Sequence, residues 1–157
     1  MTPQAQYAKT TSVSTDRTIA EIKALVMKYG ATQFGLLEQP DKFAVAFEYG
    51  NLQVRFEIEL PDRNDRRFTH TATRQARHPD TARTHWEQAC RSLYRSLLLV
   101  IKAKLEGVAA GVTSFEKEFY AFIVLPSGQT VYEATGEQVD HAIMTGYTGH
   151  LALEAPR

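Results

Sequence analysis

The residues with the clearest chemical potential in this chain are basic side chains concentrated near its middle. Residues 63–104 contain ten Lys or Arg and only three Asp or Glu, a net charge of +7. The rest of the chain cancels this charge, because the whole sequence has 18 basic and 18 acidic residues. Guanidinium groups make planar, two-pronged hydrogen bonds to phosphate and carboxylate groups. The segment therefore predicts a site for an anionic partner.

Two parts of the segment contribute this charge. Residues 61–79 have no hydrophobic period, and a loop of this length in a compact domain is usually functional or flexible. The helix that follows places Arg91, Arg95 and Lys102 four and seven positions apart, which predicts a basic stripe opposite its apolar face. A stripe of this kind is also typical of a solvated helix face. The predicted binding residues are Arg63, Arg66, Arg67, Arg74, Arg77, Arg83, Trp86, Arg91, Arg95 and Lys102.

Aromatic residues are interleaved with the basic ones. Phe68, Trp86 and Tyr94 lie between the arginines of the loop and the helix, and such aromatic rings stack on unpaired bases in proteins that bind single strands. A tryptophan at the start of a core helix is more commonly a buried packing residue. The sequence leaves both interpretations of Trp86 open.

Signatures of metal binding and catalysis are weak. His70, His78, His85 and Cys90 are 8, 7 and 5 positions apart, a spacing that matches no compact zinc motif. The sequence has no glycine-rich phosphate loop and no nucleophile elbow. His78-Pro79-Asp80 spells the tripeptide of the J-domain co-chaperones, but here it follows strands rather than a helix, so Asp80 is predicted to be a helix N-cap. No catalytic residue, metal or cofactor is predicted, and the protein is expected not to be an enzyme.

The hydrophobic periods predict an α+β fold. It consists of an N-terminal helix, a three-stranded antiparallel sheet, one long core helix and short C-terminal helix and strand elements. The predicted ranges are a helix at 16–29, strands at 32–38, 43–49 and 54–60 with a Gly50-Asn51 turn, and a helix at 80–108 whose core residues are Trp86, Cys90, Leu93, Leu97, Val100 and Ile101. A short helix after Ser114, a strand at 130–132 and a helix at 137–145 are predicted to follow.

Length and composition set the class of protein. A chain of 157 residues with 43% hydrophobic and 23% charged residues is typical of a globular domain. We expect a flexible arm at residues 1–13, a single domain at 14–150 and a tail at 151–157. No apolar run approaches the roughly 20 residues that span a bilayer. One cysteine, Cys90, cannot form an intrachain disulfide, which favours a reducing cytoplasm.

Two resemblances extend this picture. The stretch from His85 to Glu106, together with Phe122 to Val131, resembles a group of small, uncharacterised proteins encoded by tailed bacteriophages and prophages. The resemblance implies a bacterial host cytoplasm and carries no activity. The order of three antiparallel strands, an Arg-rich connection and one long basic helix is also similar to the core of single-strand annealing proteins of phage recombination, which implies single-stranded nucleic acid as the partner.

The sequence therefore predicts a phage-type accessory protein that binds a polyanion, above all single-stranded nucleic acid, through the Arg-rich loop and the long helix. The alternative is a protein-interaction module, such as a phage inhibitor of a host or defence protein, which contacts its partner through the acidic ends or the hairpin edge. Net neutrality favours the alternative, whereas the local charge of +7 favours nucleic acid. The sequence leaves self-association open.

Overall fold

The computed structural model describes residues 11–146 and confirms the predicted α+β architecture. The predicted tail at 151–157 and most of the predicted arm lie outside the described residues. The elements are α1 (Thr15–Lys28), β1 (Gln33–Glu38), β2 (Lys42–Tyr49), β3 (Leu52–Glu59), α2 (Arg66–Thr69), α3 (Pro79–Ala109), α4 (Phe115–Phe119), a 3-10 turn (Tyr120–Phe122) and α5 (Val131–Gly146).

Local signals fix both ends of α1. The Ser14 side chain caps the first turn by accepting a hydrogen bond from the backbone N–H of Arg17 at 3.3 Å. At the other end Gly30 adopts a left-handed conformation with φ +104°. The N–H groups of Gly30 and Ala31 then donate to the carbonyls of Met27 and Val26. This Schellman pairing satisfies the last carbonyls of the helix and turns the chain into β1.

The three strands form an antiparallel meander in the order β1, β2, β3. Phe43, Val45 and Phe47 of β2 lie opposite Ile58, Phe56 and Val54 of β3. These residues share one face, because side chains alternate along a strand. The face packs against α1 and α3 in the main hydrophobic core. The predicted hairpin is confirmed, and Gly50 supplies the positive φ of +60° that its tight turn requires.

Helix α3 forms the other wall of the core, and its phase differs from the prediction. Its buried residues are Cys90, Tyr94, Leu97, Leu98, Ile101 and Leu105. Leu93 is only half-buried and Val100 is 44% exposed, so assigning both to the core was wrong. Because all five residues from Leu97 to Ile101 are apolar, the sequence pattern does not indicate which of them face the core.

The start of α3 also differs from the prediction. His78, not Asp80, is the N-cap, and its Nδ1 atom accepts a hydrogen bond from the backbone N–H of Asp80 at 3.3 Å. Pro79 occupies the first helical position, where its missing N–H leaves no donor unpaired. Asp80 therefore lies inside the first turn, where a carboxylate interacts favourably with the helix dipole.

The C-terminal elements return the chain to the sheet. Ile123 forms a bridge with Val54 of β3, and Val124 forms one with Thr130. The sequence predicts a strand at 130–132, but of these residues only Thr130 forms a β-bridge. The rest of that prediction is wrong, because α5 already begins at Val131. The cause is a capping box: the Thr130 hydroxyl accepts from the N–H of Glu133, and the Glu133 carboxylate accepts from the N–H of Thr130 at 2.6 Å.

Acid is expected to weaken the start of α5. The hydrogen bond from the Thr130 backbone and the nearby charge of Arg55, at 2.9 Å, lower the pKa of Glu133. A lowered folded-state pKa stabilises the fold at neutral pH, and this contribution is lost as the pH falls through that pKa. Because the Glu133 side chain is 41% exposed, Glu133→Ala should cost only about 0.5–1 kcal/mol at pH 7.

Thermal unfolding at about pH 7 and about pH 3 measures this effect. The gap between wild type and Glu133→Ala should narrow in acid, because protonation removes the same interaction from the wild type. Glu137→Ala is the matched control, since Glu137 is an exposed residue one turn further along α5. An equal gap at both pH values would contradict this account of the cap.

Candidate anion-binding site

The Arg-rich loop is an ordered structure. The Asp65 side chain caps α2 by accepting a hydrogen bond from the N–H of Arg67 at 2.9 Å. Further on, His70 and Ala76 form an antiparallel bridge, and the N–H of Thr71 donates to the carbonyl of Gln75 at 2.8 Å. Residues 70–76 therefore make a small hairpin. Backbone hydrogen bonds within the loop give it a defined local structure.

One arginine holds the loop together. The Nη1 atom of Arg77 donates to the carbonyls of Arg67 and Phe68, at 2.8 and 3.0 Å. These carbonyls lie in α2, a helix too short to pair all of its own backbone groups. Phe68 is buried at 5% exposure, and α2 packs against α3. The hairpin and α2 are thereby fixed to the long helix.

Basic side chains of the loop line one depression. This arginine groove has a volume of about 480 Å³, and no carboxylate belongs to its lining. Guanidinium groups from α2 and from the hairpin face the same space, so that their positive charges add there. The lining residues are Arg66, Arg67, His70, Thr71, Ala72, Arg74 and Arg77.

Two of the four groove arginines keep their guanidinium groups available. Arg66 and Arg74 are exposed, and neither side chain makes a hydrogen bond or ion pair within residues 11–146. Arg67 is partly engaged, since its guanidinium lies 4.6 Å from the centre of the Phe68 ring and its Nε lies 3.4 Å from Asp65 Oδ2. The groove thus combines two free cations with two that hold its shape.

Arg74 also has an unusual backbone. It adopts φ +64°, and it is the one non-glycine residue with a positive φ in the described part of the chain. A side chain in this left-handed region costs roughly 1–2 kcal/mol. Backbone strain of this kind clusters at functional sites. The conformation sets Arg74 at the tip of the hairpin, on the lining of the groove.

The predicted aromatic residues have different surroundings. Tyr94 is buried, stacks on Phe43 with ring centres 3.7 Å apart, and donates its hydroxyl proton to Glu38 at 3.0 Å. Phe68 is buried as well. Neither ring can stack on a base without unfolding the core, so this interpretation of the two residues is wrong. Trp86 alone remains half-buried.

Trp86 is held from two sides. Its Nε1 donates to the carbonyl of Pro61 at 2.7 Å. The guanidinium of Arg63 lies 4.0 Å from the ring centre, a cation–π contact that covers one face of the indole. Arg63 and Trp86 therefore form a cation–π pair, and Arg63 precedes the groove residue Arg66 by three positions in the chain.

Three of the four basic residues predicted on α3 have partners within the fold. Arg95 pairs with Glu21 of α1 at 2.6 Å, and Arg91 donates to Gln88 at 2.6 Å. Arg83 pairs with Glu87 at 2.9 Å. Lys102 is exposed but lies 23 residues beyond Pro79, which is about 35 Å along the helix. The helix side chains Arg83, Arg91 and Arg95 are thus engaged, whereas Arg66 and Arg74 of the groove have no such partner within residues 11–146.

Other kinds of site find little support in residues 11–146. No group of three or more His, Cys, Asp or Glu side chains in this range is arranged to hold a metal ion. No helix in the same range is long and apolar enough to cross a membrane. Cys90 is buried, and burial raises the pKa of its thiol to about 11. The thiol therefore stays protonated at neutral pH and is a poor nucleophile.

The sequence prediction identified the arginines of the groove but not its other members. His70, Thr71 and Ala72 were missed as lining residues, and the signal that indicates them is their position between Arg67 and Arg74 in one short hairpin. Comparison of the chain with protein-family models, curated proteins and solved structures finds no significant match. The resemblances to phage proteins therefore stay predictions.

Proposed function

We propose that the protein binds a phosphate polyanion, most directly single-stranded nucleic acid, in the arginine groove. The observation that carries this proposal is the grouping of four arginines around one depression whose lining holds no carboxylate. Two of these guanidinium groups are exposed and unpaired within the described residues. Several adjacent guanidinium groups suit a chain of phosphates better than one isolated anion.

A single strand fits this surface better than a duplex. Proteins that read bases in the major groove of duplex DNA insert a helix or a two-stranded ribbon there, whereas the arginine groove is a depression. Trp86 is half-buried, contacts Arg63, and supplies an aromatic ring of the kind that contacts unpaired bases. The resemblance to single-strand annealing proteins supports the same partner. Since the chain has no net charge, binding is expected to be modest and sensitive to salt.

In this proposal the protein is a non-enzymatic accessory protein of phage or prophage origin that acts in the bacterial cytoplasm. The resemblance of residues 85–106 and 122–131 to small phage proteins supports the setting. The groove itself supports a binding role, because its arginines offer hydrogen-bond donors and positive charge but no group that acts as a general base near neutral pH, apart from His70. The Nδ1 atom of His70 is already engaged with the Thr69 hydroxyl at 2.9 Å.

Fluorescence anisotropy with a labelled single-stranded 20-mer tests the proposal. If Arg66 and Arg74 neutralise one phosphate each, log affinity should fall with log salt with a slope of about −1.4 or steeper, so affinity should drop at least about sevenfold between 50 and 200 mM salt. A duplex of the same sequence is the control for strand type and is expected to bind more weakly. No binding of any oligonucleotide at about 50 mM salt would refute the nucleic-acid proposal.

A second candidate function rests on α5. Every residue from 137 to 146 is exposed, and the apolar residues Val139, Ile143 and Met144 are 52%, 57% and 85% exposed. Apolar side chains displayed on a helix suit a protein partner. The alternative role as a protein-interaction module takes precedence if the anisotropy experiment shows no binding.

A further inference from the structure

Strand β1 leaves one edge of the sheet open. The strand order is β1, β2, β3, so β1 pairs with β2 on one side. No other described element runs alongside its second side. The outer edge of β3, by contrast, is partly covered, because Ile123 forms a bridge with Val54 and the N–H of Val124 donates to the carbonyl of Gln53 at 2.8 Å. The free edge of the sheet is therefore β1.

The register of β1 on β2 shows which backbone groups face this edge. The N–H of Gln39 donates to the carbonyl of Lys42 at 2.8 Å, which makes these two residues a hydrogen-bonded pair. Such pairs alternate along an antiparallel ladder, so Phe34, Leu36 and Glu38 direct their N–H and C=O groups away from β2. These groups have no backbone partner in the described part of the chain. A row of this kind is a template for another strand.

β1 lacks the residues that usually protect an edge strand. Its sequence contains no Lys, Arg or Pro, although natural edges are commonly blocked by charged side chains and proline. Its one charged residue, Glu38, is at the end of the strand, and its carboxylate accepts a hydrogen bond from the Tyr94 hydroxyl at 3.0 Å. Leu36 and Leu37 are instead 41% and 50% exposed. The edge is thus both unpaired and apolar.

The two leucines lie on opposite faces of the sheet. Leu36 pairs with Val45 and shares the core face, so Leu37 lies on the outer face. Beside Leu37 the outer face is recessed, with a depression of about 310 Å³ whose lining includes Gly35 and Ala46. A side chain added at Gly35 would have no atom within 4 Å. The strand therefore presents a leucine and, two residues away, the space for one.

We propose that β1 pairs antiparallel with β1 of a second copy of the chain, so that two three-stranded sheets join into one. In this register Leu36 lies opposite Leu36 of the second copy, and Phe34 lies opposite Glu38. All the open backbone groups of the edge then pair, because each hydrogen-bonded pair exchanges two bonds. Leu37 lies opposite Gly35 of the second copy and covers the open space there.

The sequence of β1 favours a second copy as the occupant of the edge. The register brings no two like charges together, because each Glu38 faces Phe34. A two-fold interface also needs one patch that fits itself, and the leucine and the glycine space meet this need. Placing Gly35 opposite Gly35 would instead set Glu38 opposite Thr32, whose N–H already donates to Glu48. That alternative register leaves part of the edge unpaired.

Sedimentation velocity tests the proposal without nucleic acid, so its result is independent of the proposed function. One strand per copy makes a small interface, so the wild type should change from monomer to dimer between about 5 and about 300 µM. Leu37→Lys replaces both covering leucines with the residue that protects natural edges, and it should raise the dissociation constant about 100-fold. Val112→Lys is the matched control, because Val112 is 82% exposed between α3 and α4; it should dimerise like the wild type.

An engineered cysteine tests the register. Leu36→Cys places two thiols on directly opposite residues with Cα atoms about 5.5 Å apart, within the range of a disulfide. Leu37→Cys places them on diagonal residues about 7–8 Å apart, beyond that range. Oxidation should therefore give a covalent dimer of Leu36→Cys but not of Leu37→Cys on a non-reducing gel. The native Cys90 is buried and does not compete.

Each outcome decides the proposal. Loss of the dimer in Leu37→Lys but not in Val112→Lys, with crosslinking of Leu36→Cys, would support edge pairing. A wild type that is monomeric at about 300 µM, well above the expected transition, would overturn it, and so would a Leu37→Lys variant that dimerises like the wild type. Preferential crosslinking of Leu37→Cys would overturn the register. If Leu37→Lys does not fold, the wild type and Leu36→Cys decide.

Discussion

Leu97→Ala is expected to lower the free energy of unfolding by about 2–5 kcal/mol, the range for emptying a filled core position. Leu97 is 4% exposed and belongs to the core that joins α3 to the sheet. The same core contains Phe43, Val54 and Phe119, and a closely packed interior collapses only partly into the space left by a truncated side chain. Urea or guanidinium unfolding measures the change.

Val100→Ala is the matched control on the same helix. Val100 lies three residues further along α3 and is 44% exposed, so its truncation should change stability by less than about 0.5 kcal/mol. The apolar pattern of the sequence predicts that both residues are core. Similar losses for the two variants would contradict the helix phase described above.

The sequence predicts the sheet better than it predicts the helices. The hairpin follows from strict alternation on both sides of Gly50-Asn51, and a shift of one residue would turn its phenylalanines to solvent. In α3 the same reasoning fails at Leu97 to Ile101, because an uninterrupted apolar run defines no face. At the start of α5 the sequence prediction is wrong because residues 130–132 have the pattern of a short strand. The capping box that Thr130 and Glu133 form instead begins a helix there.

The candidate site was predicted in part. Charge density alone indicates the loop at 61–79, and four of its five arginines line the groove. Whether an arginine of α3 is paired can depend on a residue that is distant in sequence. Arg95, for example, forms an ion pair with Glu21, 74 positions away. No local pattern reveals such a contact. Amino-acid composition therefore predicts where positive charge is concentrated along the chain. The tertiary structure determines which of these basic side chains remain unpaired.

Removing the two free cations of the groove is expected to cause a large loss of binding. Arg66→Gln combined with Arg74→Gln eliminates two phosphate contacts, which should weaken binding to a single-stranded 20-mer by on the order of 50-fold at about 50 mM salt. Arg67 and Arg77 are kept, because they contact Phe68 and the backbone of α2 and hold the groove together. Unfolding midpoints should stay close to that of the wild type.

The matched control removes the same amount of charge elsewhere. Lys102 and Lys117 are exposed and lie on the C-terminal part of α3 and on α4, far along the long helix from the groove. Lys102→Gln combined with Lys117→Gln should change affinity by less than about twofold. This control separates local contacts in the groove from the effect of net charge, which both double variants lower equally.

The salt dependence of single-strand binding tests the central claim most directly. Log affinity is measured against log salt for the wild type, the Arg66/Arg74 variant and the Lys102/Lys117 variant. Each phosphate contact contributes about −0.7 to the slope, so we expect the slope of the arginine variant to be about 1.4 shallower than the slopes of the wild type and the lysine variant, which should be equal. Equal slopes for the two variants, or no binding by the wild type at about 50 mM salt, would contradict the assignment of the arginine groove as the binding site.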